Sequence, residues 1–231
     1  MKKEPKPETA KTNKGEQTRA LIMETALEML REHGYEQTTM RALAERAGVS
    51  LGNAYHYFNS KEQLIQAFYA RTHDEHMQAC AALLAGERNL KKRLLAVMQA
   101  KLDTIEPYHQ FAGVLFKTAA DPRSHLNPFS KQSAPVREES TRLFAEVLNS
   151  SDARVHKDIR DELPRLLWLY HMGITLFWIH DSSPHRRRTR RLVEITVDLI
   201  VKLIALASNP LMRPLRKAVL EIMRELREAE Q

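Results

Sequence analysis

Between Val49 and Lys61 the sequence V-S-L-G-N-A-Y-H-Y-F-N-S-K gathers side chains with the chemistry of nucleic-acid recognition. An Asn amide offers a donor and an acceptor in the fork that matches an adenine edge, and a His can donate to a guanine or a phosphate. Asn53 and His56 supply these groups. Tyrosine hydroxyls bond phosphate oxygens, and Tyr55 and Tyr57 supply two of them. Lys61 lies in the first turn of the following helix, whose N-terminal amides also attract phosphate. Upstream, Thr39 at a helix start is a further phosphate candidate, and Arg41 can reach a base or a phosphate.

Short-range signals position these groups. Ser50 follows apolar Val49 and is a good N-cap. Ser60 caps the next helix, and Gln63 three residues later completes a capping box. Ala54 and Phe58 read as the core-facing residues of the short helix between them, and Tyr55 as a ring that packs while its hydroxyl faces outward. Before it, Thr39 to Ala47 reads as a capped helix with Met40, Leu43, Ala44 and Ala47 at helical spacing. Gly48 then supplies the left-handed residue at its end. Helix, glycine turn and short polar helix make a helix-turn-helix suited to a DNA major groove. Thr18 to His33 is a supporting amphipathic helix with Leu21, Ile22, Ala26, Met29 and Leu30 on one face, ended by Gly34, and Tyr35 plugs the small core.

The ordered pattern G-Y-x-x-T-T-M-R-x-L-A-x-x-A-G-V-S-x-G-x-x-Y-x-Y-F-x-S-K-E-x-L, Gly34 to Leu64, resembles the DNA-binding domain of the TetR family of bacterial transcriptional regulators. The resemblance runs from Gln17 to Tyr69. It implies that Leu51, Asn53 and His56 meet base edges, and that Tyr55, Tyr57 and Lys61 meet phosphates, with Ser50 capping the helix that carries them. Leu51 is unusual at a base-reading position, where an apolar contact with a thymine methyl explains it. It also implies that the helix from Ser60 through Leu64, Ile65, Phe68 and Tyr69 towards Cys80 and Leu84 links this domain to the rest as a lever.

Composition fits without adding specificity. With 231 residues the chain can bury a sizeable core, and 43% hydrophobic with 28% charged residues is ordinary for a globular protein. Seven glycines among many Leu, Ala, Arg and Glu favour an all-helical chain. The net charge of +7 suits an anionic partner, yet residues 1–70 hold ten Lys or Arg against nine Asp or Glu, so the surplus lies outside the motif. The single Cys80 cannot form an internal disulfide, which fits a cytoplasmic protein. The N-terminal M-K-K-E-P-K-P-E has no apolar run of a signal peptide, and no stretch approaches a membrane span.

The expected architecture is all-α: a disordered basic tail over 1–16, a three-helix helix-turn-helix domain over 17–70, and a larger helical regulatory and dimerisation domain over 71–231. In the last, helices are expected over Asn89–Glu106, Pro107–Ala120 and Pro135–Leu148, separated by a Pro- and Ser-rich loop over 121–134. Leu163 to Asp181 is apolar nearly all round and must be buried on more than one side. A helix over Arg187–Ala207 carries the stripe Leu192, Ile195, Leu199, Leu203 and Leu206. These two helices, 163–181 and 187–207, are the candidates for an isologous homodimer interface, against the alternative that both fill one monomer's core. Asn209 caps a last helix with the stripe Leu215, Val219, Ile222 and Leu226.

Other chemistry is weakly signalled. Phe111, Phe116, Trp168, His171 and Phe177 are candidate lining for a ligand pocket, with plain core aromatics as the alternative. His73 and His76 beside Asp74 and Glu75 resemble half a metal site; without a third ligand they read as an exposed polar helix end. The run Arg186, Arg187, Arg188, Arg190, Arg191 opposes a helix macrodipole and reads as a solvated surface near acids such as Asp181 and Glu194. No Gly-rich phosphate loop, nucleophile elbow, H-E-x-x-H or paired Cys is present, so neither a cofactor nor catalysis is expected. What the resemblance implies is a homodimeric repressor of a palindromic DNA operator, released by an unidentified small-molecule effector. A DNA-binding protein without an inducer, and a helical scaffold or enzyme retaining the fold, are the alternatives.

Overall fold

The computed structural model describes residues 9–228, with side chains described from 14 to 225 except 111 and 215. Eleven α-helices and three 3-10 turns make up the described residues, with no strand among them. The helices are α1 (Thr9–Gln37), α2 (Met40–Arg46), α3 (Leu51–Tyr57), α4 (Lys61–Leu84), α5 (Leu90–Ile105), α6 (His109–Ala119), α7 (Ala134–Asn149), α8 (Lys157–Arg160), α9 (Leu163–His180), α10 (Arg187–Ala207) and α11 (Arg213–Glu228). Helix α1 begins inside the segment expected as a disordered tail, so 9–16 is helical; residues 1–8 lie outside the described residues. The chain bends within α1 at Gly34, where φ is +77°.

Two apolar clusters organise the molecule. The first joins Ile22, Leu30, Leu43, Ala54, Phe58 and Leu64 from α1 to α4. It also takes in Leu115 and Ala119 of α6 and Leu126 of the loop that follows. The small bundle is therefore not closed at residue 70: α4 runs through that boundary, and α6 packs on α1. The second cluster joins α4 and α5 to α7, α9 and α10, around Leu94, Val97, Met98, Phe144, Trp168 and Trp178.

Helix α10 turns its inner face, Val193, Val197 and Ile204, into that core. Its stripe Ile195, Leu199, Leu203 and Leu206 points outward, each 45–53% exposed, and Leu176 and Phe177 of α9 are similarly exposed. The α9–α10 turn is held by buried Asp181, which accepts the Ser183 N–H at 2.9 Å, the Thr189 N–H at 2.9 Å and the Thr189 hydroxyl at 2.7 Å. Burial pushes the Asp181 carboxyl up, but these donors outweigh it and hold the group well below the usual carboxylate range. A carboxylate at the start of α10 offsets the unfavourable dipole interaction of the arginines there. Of those arginines, Arg190 pairs with Asp103 at 2.8 Å and Arg191 with Glu194 at 2.9 Å. Arg186 bonds His109 at 2.7 Å and reaches Glu106, so the run is paired mainly with α5, the adjoining turn and α6 rather than with Asp181.

The last helix differs in register from the sequence pattern. Asn209 caps a 3-10 turn over Pro210–Met212 before α11 starts. The inward positions are Arg216, Val219 and Met223, whereas Ile222 is 55% exposed; the side chains of Leu215 and Leu226 lie outside the described residues. Arg216 decides this, because its buried guanidinium bonds the carbonyls of Ala207 and Asn209 at 2.9 Å and Asp158 at 3.3 Å.

Candidate nucleic-acid interface and ligand cavity

The first candidate site is built from three capped helix starts. The Thr39 hydroxyl accepts the Ala42 N–H at 3.2 Å, Ser50 accepts the Asn53 N–H at 3.1 Å, and Ser60 accepts the Gln63 N–H at 3.1 Å. The Gln63 side chain reaches back to the N–H of Asn59, one residue before the cap. Between α2 and α3, Gly48 adopts φ +66°, where a Cβ would be strained. The Val49 N–H donates to the Ala44 carbonyl at 2.9 Å and closes the turn.

One side of α3 is anchored. Ala54 and Phe58 are buried, and the Arg19 guanidinium lies 4.9 Å from the Phe58 ring centre. The opposite side is left outward: Leu51, Tyr55 and His56 are exposed and Asn53 is half-buried. Thr39, Arg41 and Ser50 are exposed beside it. Such a rigid short helix, fixed at its back and polar at its front, can enter a major groove.

Two positions differ from the sequence reading. Tyr55, expected to pack its ring, is 44% exposed, and Tyr57 packs on the bundle core instead. Tyr57 Oη is 3.7 Å from the point a Cβ on Gly15 would occupy, so this ring sits against α1. Lys61 is turned away from a free phosphate-binding posture: its ammonium donates to the Tyr35 carbonyl and stands 3.7 Å from the Tyr35 ring centre. The Tyr35 hydroxyl in turn bonds Glu62. Tyr35, Lys61 and Glu62 thereby tie the start of α4 to the end of α1.

The second candidate site is a cavity of about 430 Å³, open on one side and lined by α4, α5, α6, α7, α9 and the 121–133 segment. That volume falls in the range of ligand pockets, roughly 300–1,000 Å³. Of the sequence candidates, Phe116, Trp168 and His171 line it. Phe177 does not: it is 44% exposed on the far side of α9, because one residue step turns a helix by about 100°. The Phe111 side chain lies outside the described residues. Trp178 was missed, although 168, 171, 175 and 178 share one helical face. Lys101 was missed too, although it stands on the α5 stripe Leu94, Val97, Met98 and Ile105. The 121–133 loop forms part of the wall through Leu126, Pro128 and Ser133, held by Arg137 donating to the carbonyls of Pro128 at 2.6 Å and Ser130 at 3.2 Å.

His73 and His76 are buried, not an exposed helix end. Their one-turn spacing points both inward, where His73 Nε2 meets Glu139 at 3.0 Å and His76 Nε2 donates to the Val97 carbonyl at 3.0 Å. Burial, aided by the nearby Lys101 charge, lowers the His76 pKa to about 4 and pushes His171 well down as well. No three metal-ligating side chains gather among the described residues. No helix among them is long and apolar enough to cross a membrane.

Comparison with known proteins places the two halves of the chain in one family. Residues 22–68 match the model of "Bacterial regulatory proteins, tetR family", and residues 93–222 that of "Tetracyclin repressor-like, C-terminal domain". The HTH-type transcriptional repressor KstR2 of Mycobacterium tuberculosis is 26% identical over 136 residues, which cover 57% of this chain and 64% of that protein. A TetR transcriptional regulator from Nitrosomonas europaea shares the fold at TM-score 0.62 and 19% identity, over 79% of this chain and 97% of that one. The fatty acid degradation regulator FadR of Bacillus halodurans does so at TM-score 0.63 and 16% identity, over 85% and 96%. With residues 93–222, more than half of the chain, matched to the C-terminal domain and its helix-turn-helix matched separately, the chain belongs to the TetR family of bacterial regulatory proteins.

Proposed function

We propose that this chain is a homodimeric, sequence-specific DNA-binding repressor whose hold on a palindromic operator is released by a small molecule in the 430 Å³ cavity. The observation that carries the DNA-binding part is the anchored α3, with Ala54 and Phe58 inward and Leu51, Tyr55 and His56 outward. Leu51, Asn53 and His56 then read base edges, while Thr39, Arg41, Tyr55 and Tyr57 bond phosphates and Ser50 holds the helix start. Lys61 serves first to position α4, and reaches a phosphate only by leaving the Tyr35 ring. Catalysis has no part in this reading.

The exposed stripes of α9 and α10 support the homodimer, since large apolar side chains in such a row are ordinarily covered. A twofold dimer presents two recognition helices to half-sites roughly 34–36 Å apart, or a multiple of that distance. Release follows from linkage. Helix α6 lines the cavity and packs on α1, and α4 lines the cavity and carries the bundle, so a ligand that displaces either alters the spacing of the two α3 helices. The shift in operator affinity cannot exceed the ligand's differential affinity for the two conformers.

The reading is tested by selecting the purified protein on random duplex DNA and titrating the winning sequence at two salt concentrations. A palindromic consensus bound tightly and salt-dependently is the expected result. Weak binding without a consensus overturns it and favours a scaffold that keeps the fold.

A further inference from the structure

The cavity wall is apolar over most of its extent, yet its charged members are of one sign. Lys101 and Arg137 line it, no Asp or Glu is among the described lining residues, and the two histidines of the wall are uncharged partners of a different kind: His73 is already bonded to Glu139, and burial pushes the His171 pKa well down. Arg137 already serves the carbonyls of Pro128 and Ser130. Lys101 makes no ion pair or hydrogen bond to any described residue, although it lines, half-buried, a wall made mostly of aromatic and aliphatic side chains. His171 is 95% buried by its 5% exposure, and both of its ring nitrogens lack a hydrogen-bond partner. Its ring is held between His76, at 6.1 Å between centres, and Phe144, at 5.9 Å, so it cannot turn freely to find one.

A half-buried cation facing an apolar wall without a counter-charge, and a buried imidazole without a partner, each carry a desolvation cost. The Lys101 charge acts on the His171 ring, so the two are neighbours, and an anion that accepts from the ammonium and from the imidazole N–H would satisfy both. Burial lowers the Lys101 pKa to about 8, which still leaves the ammonium charged at neutral pH. The rest of the wall, Leu115, Phe116, Ala119, Leu126, Trp168 and Trp178, asks for an apolar body. Leu115, Ala119 and Leu126 also belong to the core of the helix-turn-helix bundle, so that body would press on the element that sets the position of α3.

We infer that the cavity takes a small amphiphile with an apolar body and a single anionic head, and that Lys101 and His171 hold that head. The inference rests on the ligand-release reading above and names the ligand class of the same site. Two sources of the anion, a carboxylate and a phosphate monoester, share this chemistry.

The test is calorimetric titration of the full-length protein with decanoate, decyl phosphate and decanol, and with naphthylacetate and naphthylethanol. The expected result is that at least one anion binds about tenfold to a hundredfold tighter than its matched alcohol, the range of a charge-assisted hydrogen bond. Which of decanoate and decyl phosphate binds tighter identifies the head. Lys101→Met should abolish the preference, and Lys101→Arg should retain it. Lys101→Met removes an uncompensated charge, so its melting temperature should not fall; His171→Phe gives an independent variant that weakens anion binding without touching Lys101.

Equal binding of anions and alcohols, no binding of any anion, or a preference that survives both Lys101→Met and His171→Phe overturns the inference. Operator affinity measured in parallel separates the two readings. Anions that bind through Lys101 but leave operator affinity unchanged uphold this inference and sink the release reading. Alcohols that release the operator as well as the anions do uphold release and sink this inference.

Discussion

Replacing Leu199 with Glu should separate the proposed dimer into monomers while leaving each monomer folded. Leu199 is 53% exposed on α10, so in the monomer the change is a surface substitution, within about 0.5 kcal/mol. In a twofold interface the arithmetic is different. Leu176, Phe177, Ile195, Leu199, Leu203 and Leu206 each keep about half of their surface, and covering that half is worth about 1 kcal/mol per residue. Across two protomers the row supplies on the order of 10 kcal/mol, comparable with the ~4–15 kcal/mol that association costs in lost freedom. Polar rim contacts and other packed surface must supply the remainder, so the dimer has little excess affinity to lose. Two glutamates facing each other across the axis forfeit the apolar gain and add several kcal/mol of charge burial, for a total on the order of 5 kcal/mol. That raises the dimer Kd by more than about a thousandfold. Sedimentation velocity over a concentration series reads this directly, with Leu83→Glu on α4 as the control, since Leu83 is equally exposed, at 52%, but off the row. A wild-type chain that sediments as a monomer at tens of micromolar, or a Leu199→Glu variant that dimerises as tightly as its parent, refutes the assignment of α9 and α10.

Further outcomes follow from the same geometry. Asn53→Ala should relax preference at particular bases, costing about 1–3 kcal/mol at the affected position, as read by repeating the selection on the variant. Lys61→Ala should lower the salt slope of binding by about one if the side chain reaches phosphate; a lower melting temperature with an unchanged slope would confine it to holding α4 on Tyr35. Asp181→Ala leaves the donors of Ser183 and Thr189 unmet and should destabilise the chain by about 1–3 kcal/mol in urea unfolding, with undiminished stability arguing against the cap. Stability should fall on acidification. His76 protonates near 6.5 when unfolded and at about 4 when folded, so below pH 6.5 the unfolded chain binds more protons, and roughly 3 kcal/mol is lost as pH drops from 7 towards 4. His76→Gln keeps a donor for the Val97 carbonyl and should make the pH dependence shallower; a variant as acid-sensitive as its parent would show that His76 is not the cause.

The helix caps and the turn between Thr39 and Gln63 were legible in the sequence. Thr39, Ser50 and Ser60 cap helices through hydrogen bonds that span three residues, and Gly48 closes its turn through backbone conformation alone. Such signals need no distant partner, and the limits of α2, α3 and α4 agree with them. The limits of α9 and α10 were legible for a similar reason, since a turn with Pro184 separates two apolar stretches.

Which side of each helix meets which neighbour was decided only in three dimensions. Helix α9 is apolar nearly all round, so its pattern alone does not say which face meets the cavity; the fold puts Trp168, His171 and Trp178 there and leaves Phe177 facing out. Helix α10 offers two apolar stripes, and the core took Val193, Val197 and Ile204 because α5 and α9 pack there, leaving the leucine row uncovered. His73 and His76 sit among polar neighbours in sequence, yet α5 and α7 cover them. Lys101 reads as an ordinary lysine on an amphipathic helix until α4, α6 and α9 complete a cavity wall with it. A cap is set by a bond within one turn of chain; a cavity is set by where six separate elements stop short of touching, and no single segment carries that information.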